Sequence, residues 1–314
     1  MTASRARSRA PAAVIDIGTN SVKLLVARGD GTAVHPIHFE RVTTRLGTGL
    51  AGSGRISDAA ASRTARAVAA MAKSARGHGV SQLAAVGTYA LRTASNGPAV
   101  ARQIAHASGV EPRILSGRDE AQYAFDAARA VLTRTRPVTF VLDVGGGSAQ
   151  FVVARGNRIL SARSYPIGAL RLTEKHIHTD PIDPAEYARM LRDMTRTVER
   201  AVAPHLALAP RAALIAVGGS ATTALAMAHG GRAMRARSGT ITVSGLRALE
   251  QRCRAASTAT RRRMPGLPAD RADIIPAGLA VVLAFARAAR KRVVHVSGGG
   301  IREGVVLAML RGTW

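Results

Sequence analysis

Two aspartates occupy equivalent places in two similar segments. Asp16 lies in VIDIGTNS and Asp143 in FVLDVGGGS, and each follows an apolar run and precedes a glycine turn. A carboxylate at a strand end can hold Mg²⁺ directly or through water, whereas the common alternative is an aspartate that caps its own turn. Because two equivalents occur at matching positions, a metal role is favoured, and the similarity suggests duplicated domains.

Three glycine-rich segments could bind phosphate. They cover residues 18–21, 145–148 and 218–222, and each is predicted to be a turn that follows an apolar strand and carries a Ser or Thr. Glycine lets backbone N–H groups converge on an anion, because no Cβ blocks the approach. One such turn would serve an ordinary hairpin equally well, but three with hydroxyl neighbours indicate phosphate.

Other site types lack support in the sequence. LGTGLAG (46–52) contains GxGxxG without the strand-turn-helix frame of a dinucleotide site. The lysine-bearing phosphate loop and HExxH are absent, and the histidines are scattered. The single cysteine, Cys253, excludes an internal disulfide and fits a reducing cytosol, so we expect a cytoplasmic protein.

Strand and helix signals alternate along the chain. A helix is expected from Ser57 to about residue 77, a strand with a turn in LAAVGTYALR (83–92), and a helix from Asp119. Asp183-Pro184-Ala185-Glu186 predicts a capping box at the start of a long helix. Further helices are expected at 275–290 and 301–310. This alternation predicts an α/β protein.

The composition adds a strong charge. Of 314 residues, 47% are apolar, enough for two cores, and 45 Lys and Arg against 19 Asp and Glu give +26. Such a charge attracts nucleic acid, an anionic membrane or polyphosphate, but a bias towards arginine explains it equally well. With 3% aromatic residues and no membrane-spanning apolar run, we expect only non-specific nucleic-acid binding and no membrane partner.

Nine motifs in order resemble the exopolyphosphatase / guanosine pentaphosphate phosphohydrolase (Ppx/GppA) family, over residues 13 to 312. They are DIGTNS (16–21), RLGTGL (45–50), ALR (90–92) with Asn96, LSG (115–117) with Glu120, DVGGGS (143–148), PIGA (166–169) with RLTE (171–174), GGSAT (218–222), PGLP (265–268) with RAD (271–273), and IREG (301–304). The chain resembles the short members, which lack C-terminal helical domains.

The resemblance implies two actin-like (ribonuclease H-like, ASKHA superfamily) α/β domains with an interdomain cleft. Domain I would span 13–132 and domain II 133–302, and a closing helix at about 303–314 could return to domain I. Residues 1–12 are expected to form a disordered basic tail. Two-domain proteins of this type often dimerise, so a homodimer is expected.

The resemblance also implies hydrolysis of a terminal phosphoanhydride. Glu120 matches the catalytic glutamate that activates water, and Arg92 matches a phosphate-contacting arginine. Asp143 and Asp16 would hold Mg²⁺ or Mn²⁺. The residues expected to bind the substrate phosphates are Asn20, Ser21, Gly145, Gly146, Gly147, Ser148, Gly219 and Ser220.

One position departs from the family pattern. Gln150 stands where the family motif DxGGGSxE has glutamate, and an amide ligates metal only weakly and cannot act as a base.

The expected function is an exopolyphosphatase acting on inorganic polyphosphate. The alternatives are hydrolysis of guanosine pentaphosphate (pppGpp) to ppGpp and a low-activity polyphosphate-binding or regulatory protein.

Overall fold

Two mixed β-sheets form the framework of the protein. The computed structural model describes residues 10–131, 137–231 and 238–314. The first sheet has the order β3-β2-β1-β4-β5, and the second β10-β11-β9-β6-β7-β8. The strands are β1 (Ala12–Ile17), β2 (Val22–Gly29), β3 (Val34–Val42), β4 (Gln82–Gly87), β5 (Pro112–Ile114), β6 (Val138–Val144), β7 (Ala149–Arg155), β8 (Arg158–Tyr165), β9 (Ala212–Val217), β10 (Gly239–Thr242) and β11 (Val293–Val296).

The second sheet repeats the topology of the first. Strands β1, β2 and β3 form an antiparallel meander, and β4 and β5 continue parallel on the other side of β1. Strands β6, β7, β8, β9 and β11 have the same arrangement, to which β10 adds an antiparallel edge. This repeat, with helices packed on both sheets, confirms the predicted fold of two actin-like α/β domains.

Twelve α-helices lie in the described ranges, and none of them is long and apolar enough to cross a membrane. Two 3-10 segments, Ala203–Arg211 and Ala269–Arg271, accompany them. The helices are α1 (Leu50–Ser53), α2 (Asp58–Gly77), α3 (Tyr89–Thr93), α4 (Gly97–Ser108), α5 (Gly117–Val131), α6 (Ala169–His176), α7 (Pro184–Val202), α8 (Gly218–Ala228), α9 (Val243–Ala255), α10 (Thr258–Arg261), α11 (Ile275–Ala288) and α12 (Ile301–Arg311).

Local capping explains where the long helices begin. The Ser57 hydroxyl accepts a hydrogen bond from the N–H of Ala60 at the start of α2, and Asp183 accepts from two N–H groups at the start of α7. The predicted capping box of α7 is wrong in its second half. The Glu186 carboxylate instead accepts from the N–H groups of His178 and Thr179, and thereby fixes the loop before the helix.

Helices α5 and α12 join the two halves. Although α5 precedes the second sheet in sequence, its Phe125 packs in the core of that sheet with Val141. Helix α12 follows the second sheet, yet its Val305 packs on the first. The two helices touch where a Cβ on Gly304 would come within 2.1 Å of the Tyr123 carbonyl oxygen. The proposed boundary at 132/133 and residues 1–9 of the predicted tail lie outside the described residues.

Candidate functional site

A cavity of about 620 Å³ is lined by both halves of the protein. All of the site residues predicted from the sequence line it, apart from Arg92. These residues are Asp16, Asn20, Ser21, Glu120, Asp143, Gly145, Gly146, Gly147, Ser148, Gln150, Gly219 and Ser220. The structure therefore brings together side chains that are separated by up to about two hundred positions in the sequence.

The first two glycine segments are turns that face each other across this cavity. Each is closed by one backbone hydrogen bond, Gly18 N–H to Ser21 O at 3.1 Å and Gly145 N–H to Ser148 O at 3.0 Å. A Cβ on Gly146 would lie 3.1 Å from the backbone nitrogen of Asn20. The turns are so close that a side chain at residue 146 would have to displace the backbone of the opposite turn.

The third glycine segment begins a helix, so the prediction of a turn was wrong. Gly219 and Ser220 lie in the first turn of α8, whose N–H groups have no partner within the helix and suit an anion. Gly218 has a φ of 83°, and a Cβ there would lie 2.3 Å from Asp143 Oδ1. Glycine at residue 218 is therefore required both by the backbone and by the neighbouring carboxylate.

Asn20 is a buried polar side chain in the first glycine turn. It is 6% exposed, and neither Oδ1 nor Nδ2 has a hydrogen-bond partner within the described residues. Leaving a buried amide unsatisfied costs about 1–3 kcal/mol. Because Asn20 lines the cavity, an anion bound there would accept a hydrogen bond from Nδ2, and a water molecule would donate to Oδ1.

Glu120 lies one turn into α5 and is 3% exposed. Burial raises the pKa of Glu120 to about 7, although the nearby Arg92 guanidinium lowers it. Arg92 lies on α3, where the sequence predicted a strand with a turn, and its Nη1 forms an ion pair with Glu120. Arg92 thus does not line the cavity itself, but it contacts the Glu120 carboxylate, which does.

Two carboxylates in the cavity fit a divalent cation. Burial raises the pKa of Asp143 to about 6, and the charge of Asp16 acts in the same direction. Mg²⁺ commonly takes one or two carboxylates and completes its shell with water and substrate phosphates. Within the described residues, no three His, Cys, Asp or Glu side chains are grouped to hold a metal. Asp143 and Asp16 could hold such a cation only with further oxygens from water or a bound ligand.

Gln150 is 2% exposed and contacts two hydroxyl groups. Its Nε2 donates to Ser148 Oγ at 2.8 Å and to Ser164 Oγ at 2.9 Å. Ser148 belongs to the second glycine turn, and Ser164 lies on the neighbouring strand β8. The amide thus connects the glycine turn to the adjacent strand.

Sequence reasoning missed three cations that line the cavity: the buried Arg271 and Arg302, and the partly exposed Lys23. Burial lowers the pKa of Lys23, which lies 3.7 Å from Asp16, and lowers the pKa of Arg271 to about 10. The hairpin pairing of Asp16 with Lys23 could have identified the lysine. Arg271 and Arg302 belong to the motifs RAD (271–273) and IREG (301–304), but nothing in the sequence shows that their side chains line the cavity.

Polar contacts also cross from one half to the other. Arg41 binds Asp270 through two contacts of 2.8 Å, and Arg45 Nη1 lies 2.6 Å from an Asp273 oxygen. The backbone N–H of Gly49 contacts the Glu174 carboxylate at 3.2 Å. We call the two ion pairs, Arg41–Asp270 and Arg45–Asp273, the cross-cleft pairs.

Known proteins resemble this chain over nearly its whole length. The model of the Ppx/GppA phosphatase family matches residues 25–312. Exopolyphosphatase 1 of Mycobacterium tuberculosis is 32% identical over 306 residues, which cover 95% of this chain and 87% of that protein. Exopolyphosphatase 2 of the same species is 30% identical over 316 residues, covering 95% and 98%.

A solved structure agrees with these sequence matches. The crystal structure of an exopolyphosphatase from Cytophaga hutchinsonii has a TM-score of 0.88 at 24% identity and covers 97% of this chain and 99% of its own. At that identity the likeness shows the fold. The family match and the mycobacterial relatives carry the assignment further, and the chain belongs to the Ppx/GppA phosphatase family.

Proposed function

We propose that this phosphatase removes the terminal phosphate from inorganic polyphosphate, with Glu120 as the general base. The observation that carries the proposal is a buried carboxylate, with a pKa of about 7, in the same cavity as two glycine turns. A base whose pKa lies near neutral pH is well matched to removing a proton from water. The names of the mycobacterial exopolyphosphatases support the choice of substrate.

The terminal phosphate would lie between the second glycine turn and the start of α8. Backbone N–H groups and the hydroxyls of Ser148 and Ser220 would donate hydrogen bonds to its oxygens. The unsatisfied amide of Asn20 would bind from the opposite turn. The partly exposed Lys23 and the buried Arg271 would offset the negative charge of the chain.

In the chemical step, Glu120 takes a proton from a water molecule as the water oxygen bonds to the terminal phosphorus. The bridging P–O bond breaks, and its electron pair leaves with the shortened chain. The products are orthophosphate and a polyphosphate one unit shorter, and Glu120 then returns its proton to solvent. Arg92 keeps the Glu120 carboxylate in place. When bound at Asp143 and Asp16, Mg²⁺ or Mn²⁺ supplies charge neutralisation at the phosphoryl oxygens.

The net charge favours a long polyanion as the substrate. With 45 basic and 19 acidic residues, the protein has a formal charge of +26. A polyanion gains from basic groups well beyond the cavity, and this gain decreases as salt increases. A short nucleotide would need only the local contacts.

Guanosine pentaphosphate is a second candidate, favoured by one observation. Part of the cavity is apolar, and a polyphosphate chain has no apolar group to place there. A nucleoside base does. The apolar side chains that line the cavity include Phe39, Leu225, Leu267, Pro268 and Ile274.

Orthophosphate release should be measured side by side from long-chain polyphosphate, short-chain polyphosphate and guanosine pentaphosphate, with and without Mg²⁺. We expect faster release from longer chains and inhibition by salt. The Glu120→Gln variant serves as the inactive control. Absence of release from polyphosphate would overturn the proposal, and binding without release would favour the polyphosphate-binding alternative.

A further inference from the structure

Gln150 occupies a position that the duplication makes comparable with Lys23. In the first sheet, Lys23 of β2 pairs across the hairpin with Asp16. In the second sheet, Gln150 of β7 pairs in the same way with Asp143. The first aspartate thus has a cation as its cross-strand partner, and the second has a neutral amide.

The hydrogen bonds of Gln150 determine whether its two serine neighbours donate or accept hydrogen bonds. An amide NH₂ group only donates, so the oxygens of Ser148 and Ser164 both accept from it. A serine hydroxyl has one hydrogen. Since Ser148 accepts from the amide and lines the cavity, its hydrogen is left to donate to a group bound there.

A carboxylate of the same shape at this position would reverse the donor and acceptor roles in both hydrogen bonds. Glutamate at residue 150 would accept the hydrogens of Ser148 and Ser164, because an ionised carboxylate has no donor. The Ser148 oxygen would then turn lone pairs towards the phosphate, and an added negative charge would face the same anion. A cation between them would be needed to offset that repulsion.

The same amide also reaches the start of the helix that carries Glu120. Ser164 packs against Gly117, where a Cβ would lie 2.6 Å from the serine Cβ. Gly117 is the first residue of α5, one turn before Glu120. The hydrogen bond from Gln150 to Ser164 therefore links the glycine turn to the support of the base.

We propose that Gln150 is a positioning residue that makes Ser148 a hydrogen-bond donor to the terminal phosphate and lowers the dependence of phosphate binding on Mg²⁺. This inference rests on the proposed function, because it takes the ligand at Ser148 to be a phosphate. Gln150 acts through Ser148, so their substitutions should not have independent effects.

Binding of inorganic orthophosphate, measured by calorimetry with and without Mg²⁺, tests the inference without requiring turnover. We expect Gln150→Glu to weaken binding roughly tenfold or more without Mg²⁺, in line with the loss of one charge-assisted hydrogen bond, and Mg²⁺ to restore most of it. Ser148→Ala should weaken binding to a similar extent, and Mg²⁺ should not restore it. Gln251→Glu, on the exposed face of α9, is the matched control and should bind as the wild type does.

The double variant Gln150→Met with Ser148→Ala, compared with its two single variants, separates this role from a purely structural one, because Met removes the amide donor without adding a charge that repels phosphate independently of Ser148. If Gln150 acts through Ser148, the double variant binds no more than a few-fold more weakly than Ser148→Ala alone. Fully additive effects, or Mg²⁺-free binding by Gln150→Glu equal to that of the wild type, would overturn the inference. Failure of the wild type to hydrolyse polyphosphate would overturn the proposed function and leave this binding pattern standing.

Discussion

Arg92, which does not line the cavity, forms an ion pair with Glu120, which does. Its Nη1 donates to the Leu115 carbonyl oxygen at 2.6 Å and also forms the ion pair with the Glu120 carboxylate. The carbonyl fixes the guanidinium, and the guanidinium fixes the carboxylate. Arg92 lies on α3 and Glu120 in the first turn of α5, so the contact between these two helices sets the position of the base.

Replacing Glu120 by Gln should reduce orthophosphate release by roughly 10²–10⁴-fold, because the amide cannot take a proton from water. Binding of polyphosphate should change much less. Parallel assays of release and of equilibrium binding check this. The matched control is Glu199→Gln on the exposed face of α7, and wild-type activity in Glu120→Gln would remove that residue from the mechanism.

The pH profile should report the ionisation of Glu120. Its pKa is raised to about 7 by burial, and a general base works only when ionised, so kcat/KM should rise with pH through about 7 and level off above it. The Arg92 charge lowers this pKa. Arg92→Gln should therefore move the midpoint to higher pH, in addition to lowering the rate. A midpoint below pH 5 in the wild type would contradict the assignment.

The contact between α5 and α12 should tolerate no side chain at residue 304. Gly304→Ala places a Cβ within 2.1 Å of the Tyr123 carbonyl oxygen, and such overpacking costs about 1–3 kcal/mol of unfolding free energy. Urea denaturation measures it. Gly77→Ala is the control, because it lies at the end of α2 with nothing within 4 Å of the added Cβ; equal stability of both variants would argue against the tight contact.

The cross-cleft pairs should favour the closed arrangement of the two halves. Their side chains are about one-quarter to one-third exposed, so each pair contributes modestly. Removing both with Asp270→Asn and Asp273→Asn should raise KM for polyphosphate by roughly two- to tenfold and increase the radius of gyration in X-ray scattering. Asp193→Asn removes ion pairs confined to the second half and should change neither quantity.

Features encoded by a few neighbouring residues were predictable from the sequence. The two aspartate-glycine hairpins have nearly the predicted positions, because alternating strands and turn glycines are local signals. The start of α2 at Ser57 was predictable for the same reason, since a serine cap needs only the next three residues. The family resemblance then identified the residues that share the cavity.

Features that depend on packing between distant segments were not predictable. Helix α3, which carries Arg92, has five residues, too few to show helical periodicity. Arg41 and Asp270 are 229 positions apart and meet only because the two halves pack together. Arg271 is placed in the cavity by the close approach of its guanidinium to Gly219, which no local pattern records.

The difference between Lys23 and Gln150 makes the two sides of the cleft chemically unequal. Two halves with identical surroundings would offer a polyphosphate chain two equivalent orientations, and both ends would meet the same chemistry. Lys23 balances Asp16 within its own hairpin, whereas Asp143 has a neutral partner and shares its side of the cavity with the donors of the second glycine turn. On the proposed function, the two ends of a polyphosphate chain are chemically identical, so either end can enter, and hydrolysis takes place on whichever end lies at the second glycine turn.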